Sequence, residues 1–139
     1  MDQPDVYVDF LFEKGLLFIL IKNNSDAPAL EVRVDFDQEF SGVGGRVWIS
    51  QLEIFKHLEY LAPRKEIKIF LDVASTYFSR IRLGEVVKGI GIPILSIREP
   101  TELELGLSWK SEQQEKFNKK IKHNLIIYKD LGFLSQVDQ

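Results

Sequence analysis

Residues 30–37 read LEVRVDFD, so that apolar and charged side chains alternate at every position. Successive side chains of a β-strand point to opposite sides of its sheet, and this pattern therefore predicts a strand with one apolar side. The apolar side comprises Leu30, Val32, Val34 and Phe36. We expect these residues to face a hydrophobic core and the charged residues between them to face water.

The sequence before this strand predicts two more strands. Residues 6–13 alternate in the same way, with Val6, Val8, Phe10 and Phe12 on the apolar side. Residues 14–15, Lys-Gly, can reverse the chain, and residues 16–21 are apolar throughout, as expected either of a strand covered on both sides or of a central strand. Residues 23–28 supply Asn, Asp and Pro, which favour turns because they bond the local backbone or fix φ.

The sequence after it is less uniform. Residues 41–45 contain three glycines and predict a mobile hairpin loop, since glycine is unfavourable inside a strand. Residues 48–62 allow either a short helix, because Ser50-Gln51-Leu52-Glu53 has the form of a capping box, or a pair of short strands. Alternation returns at residues 66–73, with Lys68, Phe70 and Asp72 on the solvent side.

The last strands are predicted at residues 102–109 and at about 117–128, joined by the polar residues 111–114 into a terminal hairpin. The chain contains 24 Ile and Val residues but only 4 Ala, a composition that favours sheets over helices. We therefore predict an all-β protein, a β-sandwich of about seven or eight strands with at most one short helix, in a single domain spanning residues 1–139.

Two turn passages resemble those of a known family. Residues 23–34 are similar to the "N-x-G…A-x-x-V-x-V" passage of bacterial and archaeal immunoglobulin-like domains of the CARDB kind, and Leu61-Ala62-Pro63-Arg64 resembles their "L-x-P-G" turn. Ser25 or Asp26 and Arg64 stand where that pattern has glycine. The resemblance implies an immunoglobulin-like sandwich and a binding or accessory module, with no catalytic residues to carry over.

Composition and charge exclude several classes of protein. The chain has 45% hydrophobic residues, 28% charged residues, no Cys and a net charge of −3. A disulfide framework and a Cys-based zinc site are excluded, and an acidic chain does not favour non-specific nucleic-acid binding. Residues 1–5 are acidic and polar, and no apolar run is long enough to cross a bilayer. We expect no membrane insertion and, by default, a cytoplasmic protein.

Three patterns in the sequence are candidates for chemical sites. Asp35, Asp37 and Glu39 share one side of a strand and could hold a hard cation. Their spacing mimics the start of an EF-hand loop, but the following residues lack the Gly and the final Glu that such a loop needs. This absence favours a solvated strand side. Residues 42–46, GVGGR, lack the Lys-Ser/Thr of a phosphate-binding loop. His57 and His123 have no second ligand at metal-binding spacing. We predict no catalytic, cofactor-binding or metal-binding residues, no cofactor and no enzymatic activity.

A basic stretch lies near the C-terminal end, with Lys116, Lys119, Lys120 and Lys122 beside Phe117 and Ile121. These lysines either meet an acidic partner or protect a strand edge from aggregation, and the second interpretation is the more common.

The sequence favours a non-catalytic binding or structural module that contacts another protein. The candidate partner-binding residues are Ile90, Ile92, Ile94 and Ile97, in an apolar segment predicted to be either an edge strand that pairs with a second chain, including another copy, or buried within this one. The alternative is a carbohydrate-binding or hydrolase-associated domain that stacks sugars on Trp48, Tyr60 or Trp109, although core packing also accounts for the two Trp residues.

Overall fold

The computed structural model describes residues 3–79 and 100–128, and these residues form an antiparallel all-β sandwich. Its strands are β1 (Val6–Glu13), β2 (Leu16–Asn23), β3 (Ala29–Phe36), β4 (Ser41–Gly42), β5 (Val47–Trp48), β6 (Leu58–Leu61), β7 (Glu66–Val73), β8 (Glu102–Lys110) and β9 (Lys116–Asn124). A 3-10 turn (Ile49–Gln51) and helix α1 (Glu53–Lys56) lie between β5 and β6, and residues 74–79 are helical.

The strands form two main sheets and one small hairpin. The three-stranded sheet has the order β1-β2-β7, the four-stranded sheet has the order β6-β3-β8-β9, and β4 pairs with β5. The core combines alternate residues of both main sheets, such as Val8 and Ile19 from the first and Val34 and Leu105 from the second. The predicted all-β sandwich is confirmed, but the described residues form nine strands rather than seven or eight and more than the one short helix that was predicted.

The alternation assigned most of the core correctly. In β3, Val32 and Val34 are buried while Arg33 and Asp35 are exposed, and in β8 the residues Leu103, Leu105, Leu107 and Trp109 are buried. Strand β2 is the central strand of its sheet, as predicted, because it pairs with β1 on one side and with β7 on the other.

The predicted solvent position of Asp72 is wrong. The pairing of β2 with β7 shifts at Leu17 and Phe18, so that Leu71 lies opposite no residue of β2 and the alternation of β7 reverses beyond it. Leu71 and Asp72 are both buried as a result, and Asp72 is only 2% exposed. Its Oδ1 accepts hydrogen bonds from the backbone N–H groups of Gly44 and Val73.

The glycine-rich residues 41–45 form a hairpin bound to β7 rather than an unattached loop. The Val43 N–H donates to the Leu71 carbonyl at 2.8 Å, and a Cβ on Gly42 would lie 2.1 Å from that oxygen. Val43, Gly44 and Gly45 all have positive φ angles, which make the tight turn. The glycines therefore permit a close approach of two backbones.

The ambiguous residues 48–62 contain both a helix and a strand. Ser50 does not cap α1, whose N-cap is Leu52 without a side-chain hydrogen bond; the Ser50 hydroxyl instead accepts a bond from the Phe40 N–H at 3.2 Å. The short helix packs Phe55 edge-to-face against Phe36, with 5.0 Å between the ring centroids. The chain then enters β6, one of the two edge strands of the four-stranded sheet.

Candidate functional site

A groove of about 660 Å³ crosses the outer side of the four-stranded sheet. All four strands of that sheet contribute to it, together with the end of α1. We call it the sheet groove, and it is lined by residues 30–33, 56–59, 108–110 and 116–118. A smaller hollow of about 440 Å³ adjoins it at Asp35, Gly106, Ser108, Asn118 and Lys120.

Strand register explains where the groove lies. On the outer side, Arg33, Ser108 and Asn118 stand opposite one another on β3, β8 and β9, and the next row contains Asp35, Gly106 and Lys120. The central strand β8 thus places Gly106 and Ser108, its two smallest outward residues, between longer side chains on both neighbours. Small residues on a central strand and long residues beside it produce a trough.

A backbone irregularity shapes one wall of the groove. Glu31 has a φ of 49°, a left-handed value that non-glycine residues rarely adopt, and the pairing of β3 with β8 shifts between Leu30 and Arg33. A bulge of this kind changes the direction of nearby side chains. Here the Glu31 carboxylate reaches the Lys110 ammonium group at 2.7 Å.

The groove carries an excess of positive charge although the chain as a whole is acidic. Its lining contains the cations Arg33, Lys56, Lys110 and Lys116 and the anions Glu31 and Glu59. Arg33 pairs with Asp35 at 3.2 Å and Lys110 pairs with Glu31. Within residues 3–79 and 100–128, no ion pair is formed by Lys56 or Lys116.

Successive side chains of β9 point alternately to the outer side of the four-stranded sheet and towards β1 of the three-stranded sheet. Lys116, Asn118, Lys120 and Lys122 are exposed on the outer side, whereas Phe117, Lys119, Ile121 and His123 are half-buried. The Lys119 Nζ lies 2.7 Å from the Asp5 carboxylate, and the His123 Nε2 lies 2.9 Å from the Val8 carbonyl oxygen. The half-buried residues of β9 thereby cover the free edge of β1, and we call this contact between the two strands the β1–β9 seam.

Tyr128 extends this seam beyond β9. Its hydroxyl donates to the Phe10 carbonyl at 2.9 Å, and its ring stacks on Phe12 with 6.4 Å between centroids. Burial raises the pKa of the Tyr128 phenol above its ordinary value, and the negative charge of Asp9 adds to the effect. The position of the phenol between β1 and β9 therefore disfavours its phenolate form.

The three carboxylates Asp35, Asp37 and Glu39 do not converge. Asp35 pairs with Arg33, the Asp37 carboxylate accepts from the Glu104 N–H at 3.0 Å, and Glu39 accepts from the Gln51 side chain. Among the described residues, no group of three or more His, Asp or Glu side chains is arranged to hold a metal ion.

The two histidines lie in different places. His57 is exposed at the end of α1, 3.4 Å from Glu53, whereas His123 packs edge-to-face on Phe10 in the β1–β9 seam. The structure does not bring them together.

The three aromatic residues of the carbohydrate alternative do not form one platform. Trp109 is only 4% exposed, and its indole N–H donates to the Pro4 carbonyl at 3.0 Å. Trp48 is 45% exposed on β5, and Tyr60 is 57% exposed on β6. For Trp109, the structure therefore confirms the prediction of core packing.

The three-stranded sheet has a partly apolar outer side. Leu11, Phe18 and Phe70 stand opposite one another in one row across the strands, and Phe70 is exposed. Lys68 lies over the Phe18 ring at 4.2 Å and bonds the Glu13 carboxylate at 2.7 Å. That hydrogen bond and the charge of Lys68 lower the pKa of Glu13.

One group of predicted binding residues lies outside the described part of the chain, and one group of groove residues was not predicted from the sequence. Ile90, Ile92, Ile94 and Ile97 lie outside the described residues. Arg33, Ser108 and Lys110 were not singled out as binding residues, because only the register of three strands brings them together. No helix in the described ranges is long and apolar enough to cross a membrane.

The architecture defines an all-β domain with a concave, positively charged sheet side. A family model described as "Domain of unknown function (DUF8453)" matches residues 1–130, and the chain therefore belongs to that family. Neither a curated protein nor a solved structure matches the chain.

Proposed function

We propose that this DUF8453 domain is a non-catalytic, immunoglobulin-like binding module that holds a segment of another protein in the sheet groove. The observation that carries the proposal is the groove itself, a concavity that spans four strands on a rigid sheet. Binding sites are typically concave and carry a few polar groups that fix the orientation of a ligand. Here Ser108 and Asn118 offer such groups on the floor, between the charged walls.

Strand order supports the immunoglobulin-like part of the proposal. In the constant-type immunoglobulin fold, strands A, B, E and D form one sheet and strands C, F and G form the other. Taken in chain order, β1, β2 and β7 correspond to A, B and E, while β3, β8 and β9 correspond to C, F and G. The difference is β6, which pairs with β3 rather than with β7.

The carbohydrate alternative has less support. Of its three aromatic residues, Trp109 is buried, and Trp48 and Tyr60 lie on strands of different sheets. Sugar recognition by stacking needs an exposed aromatic face, and Trp109, the one of these residues that lines the sheet groove, is only 4% exposed.

A peptide selection tests the proposal. We expect random peptides selected for binding to the wild-type chain to shift the backbone amide resonances of β3, β8 and β9. Ser108→Tyr fills the groove floor and should weaken the selected peptides by about tenfold or more, as expected at the centre of an interface. Glu66→Tyr, an exposed position on β7, is the matched control and should leave their affinity unchanged. Binding that Ser108→Tyr does not weaken would overturn the proposal.

A further inference from the structure

We propose that the partner segment is acidic and extended, and that it lies along β9 with carboxylates facing Lys116, which lines the sheet groove, and Lys120, which lines the adjoining hollow. This inference rests on the proposed function and specifies the chemistry of its partner. It is carried by the charge and the spacing of the outward residues of β9, which the groove geometry alone does not require.

The outer lysines of β9 differ in the charges that stand beside them. In the described part of the chain, no ion pair involves Lys116, Lys120 or Lys122, and all three side chains are exposed. In the β8–β9 pair, Lys122 stands directly opposite Glu104, whereas Lys120 stands opposite Gly106 and Lys116 opposite another cation, Lys110. Like charges directly opposite one another destabilise a sheet, and Glu31 compensates only Lys110. A carboxylate from a partner would supply the missing charge.

The spacing selects an extended partner. Lys116 and Lys120 occupy even-numbered positions of one strand and therefore share its outer side. Residues two apart on a strand repeat at roughly 6.6 Å. An extended segment has the same repeat, so its alternate side chains can face these lysines in register.

Strand β9 is an edge strand of the four-stranded sheet, where exposed lysines also discourage edge-to-edge pairing. The side of β9 that faces β1 is occupied by the other set of residues, through the Lys119–Asp5 ion pair and the contacts of His123 and Tyr128 with β1 carbonyls. Lys116, Lys120 and Lys122 point instead to the face of the sheet.

The surroundings favour an acidic protein segment over nucleic acid. Glu31, Glu59 and Asp35 lie among the cations of the groove and the adjoining hollow, and the whole chain carries a net charge of −3. A continuous phosphate backbone would meet these carboxylates, whereas carboxylates at alternate positions of a peptide can avoid them.

The probe is a fluorescent peptide of about 12 residues with alternating Glu and Thr, long enough to span β9, and its matched control replaces Glu by Gln. We expect fluorescence anisotropy to show that the Glu-Thr peptide binds about tenfold more tightly than the Gln-Thr peptide, with a difference that shrinks as salt is raised above roughly 0.1 M. The double variant Lys116→Glu/Lys120→Glu should lose this binding. Lys22→Glu/Lys65→Glu makes the same change in net charge elsewhere and should retain it.

The outcomes separate this inference from the proposed function. Equal binding of the Glu-Thr and Gln-Thr peptides in the groove would overturn the acidic partner while leaving the binding module intact. If neither these peptides nor the selected peptides shift the resonances of β3, β8 and β9, both proposals fail. Tighter binding of an oligothymidylate than of the Glu-Thr peptide, lost in the same double variant, would overturn the inference in favour of a nucleic acid.

Discussion

The side-chain amide of Asn23 donates a hydrogen bond to the backbone carbonyl of Leu61 at 3.2 Å, across 38 positions of the chain. The same nitrogen lies 2.8 Å from the Ala27 carbonyl oxygen and 3.3 Å from that of Ala62, while the Asn23 Oδ1 accepts from the Ser25 hydroxyl. Asn23 is fully buried. It therefore ties the turn after β2 to the turn between β6 and β7 and joins the two sheets at one end.

Asn23→Ala should destabilise the protein by about 2–3 kcal/mol, because it leaves buried backbone carbonyls without their donor. The matched control is Asn24→Ala, since Asn24 is exposed and its removal should cost only a few tenths of a kcal/mol, about the range of ordinary surface changes. Urea denaturation measures both. Equal midpoints for the two variants would show that the Asn23 bonds do not hold the turns together.

Gly42→Ala should destabilise the protein by about 1–3 kcal/mol, the usual range for an overpacked site. The new Cβ would lie 2.1 Å from the Leu71 carbonyl oxygen and 2.9 Å from the Ile49 side chain, and a backbone atom cannot move aside cheaply. Gly106→Ala is the control, because its nearest neighbour is the Asp35 carbonyl at 4.0 Å. Thermal denaturation should rank Gly42→Ala well below Gly106→Ala, and the reverse order would contradict the close approach of β4 to β7.

Lys14→Asn should stabilise the β1–β2 hairpin by about 0.5–1 kcal/mol, because Asn tolerates left-handed backbone better than Lys does. Lys14 and Gly15 have φ angles of 51° and 79°, as the two central residues of a type I′ turn require. Gly15→Ala should have the opposite effect. A hairpin turn of another type would be indicated if Lys14→Asn lowered the denaturation midpoint.

Period-two alternation predicted the main strands because one side of each strand packs on the core. It failed at Asp72, where an unpaired Leu71 reverses the sides of β7, since nothing in the local pattern marks the extra residue. It also gave no sign of the left-handed Glu31 in β3, whose bulge helps to form the groove. Such irregularities depend on the neighbouring strand and not on the segment that contains them.

The candidate site was less predictable than the fold. The lysines of β9 were recognised as a basic stretch, but their division into a groove side and a seam side depends on how β9 packs against β1. Arg33, Ser108 and Lys110 come together only through the register of β3, β8 and β9. Register is set by long-range pairing, which a single sequence does not display.

Val34→Asp should destabilise strongly, by several kcal/mol, because it buries an unpaired carboxylate. Val34 is 3% exposed in the core, whereas the adjacent Arg33 is exposed on the groove side. Arg33→Ala should therefore change stability by only about 0.5 kcal/mol or less. Circular dichroism during urea denaturation compares them, and similar midpoints would mean that the side assignment of β3 is wrong.

Tyr128 makes stability depend on alkaline pH. Its pKa is raised in the folded protein, first by burial and then by the charge of Asp9, so the folded state holds the phenol proton more tightly than the unfolded state does. The resulting stabilisation is fully present below the ordinary tyrosine pKa of 10.0 and is lost as the pH rises through the folded pKa. Above roughly pH 10 the unfolding free energy of the wild type should therefore fall more steeply with pH than that of Tyr128→Phe. Asp9→Asn should keep most of the wild-type slope, because burial is the larger cause of the raised pKa. Identical slopes for the wild type and Tyr128→Phe would contradict the burial of Tyr128 in the seam.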